Sequence, residues 1–383
     1  MPTFSDIARR HPTLISERMS GLISTTNPMG ELATKLCELR CLSVDEYARL
    51  ISERTEGDAK GLAEFAFKEC ERVYGDAVFS RGLIEFTNYC ANDCLYCGIR
   101  RGNAECNRYR LTDGQIAACA DQGYGLGFRT FVLQGGEDPH STDEWLCRIV
   151  RSLKEAHPDC AVTLSVGERS RESYARLREA GADRYLLRHE TASPVHYRKL
   201  HPRSMSYENR MRCLGDLRDL GYAVGVGFMV GSPFQTPSDL AADLKFIEQF
   251  KPEMCGIGPF VPHHATPFAS FAGGTVELTC FLLSIIRIIQ PNVLLPATTA
   301  LGTIDPEGRE KGILAGANVV MPNLSPVEVR ADYELYDNKI CTGDEAAECI
   351  RCMSERIERT GYRIKTDRGD HVRYREGREN DGK

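Results

Sequence analysis

Nowhere does the sequence hold a run of apolar residues approaching the ~20 that a membrane-spanning helix requires. The first thirty residues carry Arg9, Arg10 and His11 but no apolar core segment, so no secretory signal is visible. A basic excess is missing too: the formal charge is −6, with both signs interspersed. Phosphate backbones need a concentrated basic face, which counts against nucleic acid as a main partner. No G-x-G-x-x-G follows an opening strand, and no internal repeat or low-complexity block occurs. These absences lead us to expect a soluble, cytoplasmic protein with no nucleic-acid or membrane partner. The Arg-rich stretch after Thr360 also carries Glu and Asp and reads as a solvated tail.

Sixteen cysteines are present, but at 383 residues the chain is far longer than a disulfide-stapled secreted scaffold. Cys37, Cys41, Cys70, Cys119, Cys147, Cys213, Cys255 and Cys280 stand singly on helical or apolar stretches, as buried small hydrophobes would. The remaining order is a strand–helix alternation. Strands are expected at Leu83–Thr87, Thr130–Leu133, Ala161–Val166, Arg184–Arg188, Ala223–Val230, Met254–Ile257, Val293–Ala297 and Asn318–Met321, with amphipathic helices between them. Thr112 with Gln115 has capping-box spacing, and Thr236 precedes a proline at a first helical position. The fold class expected is α/β, a (βα)8 TIM-type barrel over 81–340. A mobile extension (1–30), N-terminal helices (31–80) and a C-terminal cysteine-containing segment (341–383) would flank it. A doubly wound sheet is the alternative. The barrel is favoured because Gly135-Gly136-Glu137-Asp138, Gly167-Glu168-Arg169, His189-Glu190 and Thr298-Thr299 all follow strand ends, which a barrel gathers at one mouth.

Directly after the first strand lies Cys90-Ala-Asn-Asp-Cys94-Leu-Tyr-Cys97. Three thiolates at C-x3-C-x2-C spacing suit an iron–sulfur cluster, leaving one metal position open. A structural zinc site would need a fourth ligand, which Cys106 could supply. The motif, with aromatic Tyr96 before its last cysteine, resembles that of the radical S-adenosylmethionine (SAM) superfamily. That resemblance implies a [4Fe–4S] cluster on Cys90, Cys94 and Cys97 whose open iron holds SAM and whose electron cleaves it. The Gln134-Gly135-Gly136-Glu137 run resembles the superfamily's loop for the SAM ammonium, although alone it could be any tight turn.

Further runs narrow the resemblance. Ile84-Glu85-Phe86-Thr87-Asn88, Arg108-Tyr109-Arg110, Leu186-Leu187-Arg188-His189-Glu190-Thr191, Pro296-Ala297-Thr298-Thr299-Ala300 and Met321-Pro322-Asn323 are similar to the HydE family, radical SAM maturases of [FeFe]-hydrogenases. This implies SAM contacts from Tyr96, Glu190 and Arg210, where a carboxylate balancing Arg188 and a solvated helix residue are the ordinary alternatives. Thr163, Ser165, Arg184, Arg188, Thr298 and Thr299 are expected to line the barrel interior as an anion site, or else to be a satisfied polar layer. Met321 and Tyr336 match further cavity positions. The resemblance also implies a small organometallic or cysteine-derived substrate, the partner maturases HydG and HydF, and a reducing electron donor. Cys341, Cys349 and Cys352 match a triad that in some members holds an auxiliary [2Fe–2S] or [4Fe–4S] cluster; zinc or idle thiols are the competing readings. Other biotin-synthase-like enzymes, such as methylornithine synthase, and a non-catalytic iron–sulfur scaffold are the alternatives to this reading.

Overall fold

The computed structural model describes residues 29–341 and 346–374. The expected mobile extension therefore lies almost wholly outside the described residues, as does the Cys349 side chain. Three helices, Glu31–Leu39, Val44–Glu53 and Glu56–Tyr74, come first. Ser43 with Glu46 and Thr55 with Asp58 close capping boxes that satisfy the free amides opening the second and third. The second packs on helix Pro237–Phe250 and the third on Val276–Ile289, so these helices brace one side of the strand–helix body.

The central sheet is parallel in the order β2 (Gly82–Thr87), β3 (Thr130–Gly135), β4 (Ala161–Ser165), β5 (Arg184–Leu186), β6 (Ala223–Val226) and β8 (Met254–Cys255). Single parallel bridges continue the ring from Met254 to Leu294, from Pro296 to Val319 in β10 (Val319–Val320), and from Asn323 back to Leu83. Eight strand positions thus close into the expected barrel. Two expected strands are interrupted. Ala223–Val230 divides into β6 and β7 (Met229–Val230), and the next into β8 and β9 (Gly258–Pro259). The chains cross at Gly227, where a Cβ would lie 2.0 Å from the Gly256 carbonyl, so the ladder breaks and resumes as a separate β7–β9 pair.

Strand β1 (Ala77–Ser80) runs into β2 and pairs with β10 on one edge. Its other edge takes β11 (Arg363–Lys365), near the chain's end. The expectation of a solvated tail after Thr360 is therefore corrected as far as residue 374. The segment turns beneath the barrel floor, where Asp370 pairs with Arg184 at 2.6 Å and Arg368 with Asp183 at 3.0 Å. The Arg368 carbonyl also accepts from Thr130 Oγ1 (2.7 Å) and Arg184 Nη2 (2.7 Å). Its charges answer opposite charges at the strand starts rather than water. Of the solitary cysteines, Cys37, Cys70, Cys119, Cys147, Cys213 and Cys255 are buried as expected. Cys41 is exposed in the loop between the first two helices, and Cys280 is half-buried on helix Val276–Ile289. Among the described residues, no helix is long and apolar enough to cross a membrane.

Candidate active site

The C-terminal ends of the strands surround a cavity of about 380 Å³. Cys90, Cys94 and Cys97 all line it, facing Gly135, Gly136, Glu137, Glu190 and Arg210. The cysteine loop keeps its shape through one side chain. Arg108 donates to the carbonyls of Asn88 (2.5 Å), Ile99 (2.8 Å), Arg100 (2.6 Å) and Asn103 (3.2 Å), tying both ends of the loop to one planar group. The rest of that Arg-Tyr-Arg triplet works nearby. Tyr109 OH donates to the Glu85 carbonyl (2.7 Å), and Arg110 grips Asp138 through Nε (2.6 Å) and Nη2 (3.0 Å).

The Gly-rich loop approaches the cysteines at contact distance. The Ala91 amide donates to the Glu137 carbonyl (2.9 Å), and a Cβ on Gly136 would stand 2.2 Å from the Tyr89 carbonyl and 2.8 Å from Cys90 Cβ. Gly136→Ala should push the loops apart, at a cost of about 1–3 kcal/mol. Iron and sulfide analysis after reconstitution should show a lower cluster content than wild type; an unchanged content would mean that the loops can yield.

Burial pushes the thiols of Cys90 and Cys94 above their ordinary range, and that of Cys97 up to about 12. Three such thiols at one cavity wall are poor thiolates on their own and fit a metal that supplies the missing positive charge. Cys106, the candidate fourth zinc ligand, is absent from the cavity wall; Asn88 Nδ2 approaches its sulfur at 3.6 Å. A closed four-thiolate site is therefore not formed. The Cys94 sulfur faces Met205 Sδ at 3.6 Å instead.

Across the cavity, Arg210 is buried and donates from Nε to Glu168 (2.6 Å) and from Nη1 to the Arg188 carbonyl (2.5 Å). Glu137 accepts the Glu168 amide (3.1 Å); burial raises its pKa, and the Arg210 charge opposes the rise. Glu190 sits in the left-handed region at φ 65°, a conformation that costs a non-glycine residue about 1 kcal/mol or more. Its Oε2 lies 3.2 Å from Arg188 Nη2, yet neither atom has a hydrogen bond. Arg188 Nε and Thr298 Oγ1 are also buried without partners. Polar atoms left in this state around one cavity fit a site awaiting a polar ligand.

A model of the radical SAM superfamily matches residues 84–247. The [FeFe] hydrogenase maturase subunit HydE of Thermotoga maritima is 45% identical over 333 residues, covering 86% of this chain and 95% of that protein. The chain belongs to the radical SAM superfamily, in the HydE family. The 3-methylornithine synthase of Methanosarcina acetivorans is 28% identical over 81% of this chain and 88% of its own length. The crystal structure of methylornithine synthase has a TM-score of 0.76 at 26% identity, covering 88% of this chain and 97% of that one. HydG from Carboxydothermus hydrogenoformans, at 19% identity and a TM-score of 0.74, shares the fold over 94% of this chain and 82% of its own.

Within this HydE-family cavity the structure gathers Tyr96, Gln134, Ser165, Arg188, Thr298, Thr299, Met321, Tyr336 and Cys341 together with the cysteines and the Gly-rich loop. Two expected members fall elsewhere. Arg184 and Thr163, paired in register, border a much smaller space at the barrel floor with Arg81 and His371. Both point inward, as the strand alternation predicts, but Arg184 opens β5 and so lies at the strand's N-terminal end, away from the mouth. Their place at the substrate cavity is corrected.

Glu85 and Lys339 also belong to this wall, though neither stands out as a site residue in the sequence. Glu85 is buried on the cavity wall, held by Lys339 Nζ (2.7 and 2.9 Å) and Asn323 Nδ2 (2.7 Å). A carboxylate amid Leu83-Ile84-Glu85-Phe86 was the available signal; Lys339 carried none. Outside the cavity, His263, His264 and Asp337 bring three candidate metal-ligand atoms within 4.8 Å of one another. The Ala265 amide already occupies His263 Nδ1 (3.0 Å), and His264 Nδ1 bonds Asp337 (2.7 Å), so an ion pair accounts for the group.

Proposed function

We propose that this chain is a HydE-type radical SAM enzyme acting in the maturation of [FeFe]-hydrogenase. The observation that carries the reading is the convergence of Cys90, Cys94 and Cys97 with Glu137, Glu190 and Arg210 on one cavity of a chain 45% identical to a HydE subunit. Cys90, Cys94 and Cys97 would hold a [4Fe–4S] cluster, which supplies one electron to the SAM sulfonium so that the S–C5′ bond breaks into methionine and a 5′-deoxyadenosyl radical. Gly135, Gly136 and Glu137 would receive the SAM ammonium with carbonyl and carboxylate oxygens. Arg210, anchored on Glu168, can turn its remaining donors to the SAM carboxylate. Gln134, Tyr96 and Glu190 would border the adenosine side, with Tyr96 OH held 3.2 Å from His201 Nε2. The test is anaerobic reconstitution followed by dithionite reduction with SAM. We expect 5′-deoxyadenosine, and activation of an immature hydrogenase when HydG and HydF are supplied; methylornithine from lysine would reverse the assignment.

The substrate side is our finer reading. Arg188, Thr298, Thr299 and Ser165, with Met321 and Tyr336 as apolar and phenolic walls, would take an anionic cysteine-bound iron–carbonyl–cyanide precursor. Losing a charged donor in a dry cavity costs about 1.5–3 kcal/mol. Arg188→Leu should therefore lower hydrogenase activation at least tenfold while uncoupled SAM cleavage falls much less. Equal losses in the two assays would remove the substrate role.

Cys341, Cys349 and Cys352 would hold an auxiliary cluster. Cys341 also lines the main cavity, where Arg309 Nη2 bridges its sulfur and Thr299 Oγ1 at 3.5 Å each. Cys352 is exposed, and the side chain of Cys349 lies outside the described residues. Replacing all three should lower bound iron and leave SAM cleavage intact. Loss of cleavage in folded protein would make that cluster essential. A cytoplasmic location belongs to the same reading, since thiolate ligands persist where thiols are kept reduced.

A further inference from the structure

The surface next to the cysteine loop is built differently from the rest of the chain. Residues 194–204, 232–238 and 262–274 contain no aspartate or glutamate, in a protein whose acids outnumber its Lys and Arg by 54 to 48. These three segments, the first opening with the short helix Pro194–Leu200, form one face. His196 Nε2 lies 3.0 Å from the Pro233 carbonyl, Lys199 Nζ stands 5.5 Å from the Phe234 ring centroid, and Phe234 meets Phe271 and Phe268 edge-on at 5.2 and 6.1 Å. Val195 and Phe234 are 57% and 49% exposed, and Arg198, Lys199 and Arg203 of the first segment are exposed as well. Phe234 keeps a φ of 66°, which a bulky residue seldom adopts. Phe234 thus covers the buried Phe268 on one side and leaves about half of its own surface in solvent.

The face continues into the cysteine loop. The Leu95 amide donates to the Leu200 carbonyl (3.0 Å), and Leu95 and Tyr96 pack against Leu200, Phe260 and Phe268. The 194–204 segment leads to Met205, in contact with Cys94. Resting on the cluster reading of that loop, we infer that this face docks an acidic one-electron carrier protein. One electron leaves the carrier and enters the cluster, and no bond is made or broken between the proteins. An apolar centre flanked by Arg198, Lys199 and Arg203, with Asp239 beside Ser193 and Glu208 near Arg198 at its edge, matches a partner whose exposed redox group is ringed by carboxylates. Placing it here puts the carrier against Leu95, next in the chain to Cys94.

The test uses holoenzyme and two variants, R198E/K199E/R203E and Phe234→Asn, asparagine being tolerant of the left-handed backbone. Calorimetric affinity for an acidic flavodoxin and for an acidic [2Fe–2S] ferredoxin is measured at low and high salt. Rates of 5′-deoxyadenosine formation driven by the reduced carrier and by dithionite are measured in parallel. We expect the charge reversal to weaken carrier binding and carrier-driven turnover by about tenfold or more and to flatten the salt dependence, with dithionite-driven turnover unchanged. Phe234→Asn should weaken binding without altering the salt slope. Unchanged carrier affinity in both variants would overturn the inference, as would a wild-type dimer that Phe234→Asn dissociates. Absence of dithionite-driven cleavage in wild type would instead overturn the enzymatic reading.

Discussion

Cys94→Ser, reconstituted with iron and sulfide without oxygen, should form no 5′-deoxyadenosine above background, a loss of at least about a thousandfold. A hydroxyl is a hard, weakly acidic donor and a poor substitute for thiolate on iron. The Met205 thioether, 3.6 Å from the Cys94 sulfur, carries no charge and is no replacement for a thiolate. The companion variant Cys106→Ser should keep wild-type cleavage, since Cys106 lies off the cavity wall. Together the two separate a three-cysteine cluster from a four-cysteine metal site. Equal loss in both would favour the four-ligand site, and normal turnover in Cys94→Ser would remove the central assignment.

Arg184→Leu should destabilise the fold by about 3–5 kcal/mol, the usual result of stripping one partner from a buried ion pair. Arg184 is buried and holds Asp370, Thr130 Oγ1 and the Arg368 carbonyl together beneath the barrel. Burial opposes the Asp370 carboxylate, but Arg184 and Arg368 hold its pKa far below the ordinary range. A depressed carboxyl pKa contributes stability that is fully present above the unfolded-state value of about 4 and is lost as pH falls through the folded value. Wild type should accordingly lose stability below pH ~4, and Asp370→Asn should lose part of that acid dependence. Denaturant titrations of the three proteins at neutral and acid pH read both effects. SAM cleavage per folded molecule should survive in Arg184→Leu. A selective loss of hydrogenase activation at unchanged stability would return Arg184 to the substrate cavity.

Arg184 and Arg188 show how far strand pattern reaches. They are four residues apart, so a period of two sends both side chains inward. Four residues also span about 13 Å along a strand. That height separates the Arg184–Asp370 pair in the floor from the Arg188–Glu190 pair at the mouth, whose facing atoms make no hydrogen bond. Alternation reports the side of the sheet but not the layer. Thr163 and Ser165 repeat the lesson over two residues, as Thr163 faces the floor space and Ser165 the cavity. Charge patterning misled in a similar way over residues 363–374. Mixed charges read as solvated until Asp183 and Arg184, far away in sequence, are found opposite them.

The strand–helix order, the caps that open the helices and the cysteine loop after the first barrel strand followed from the sequence alone. Each depends on interactions within a few residues: side-chain period, a cap oxygen reaching an amide three positions on, thiolates spaced along one loop. Only the tertiary structure decided which inward residues share a layer, that Lys339 neutralises Glu85 across 254 positions, and that residues 363–374 seal the floor beneath the mouth. Those pairings exist because ring closure brings distant strand ends to one height. A buried charge must then find its counter-ion among whatever the closed barrel sets beside it.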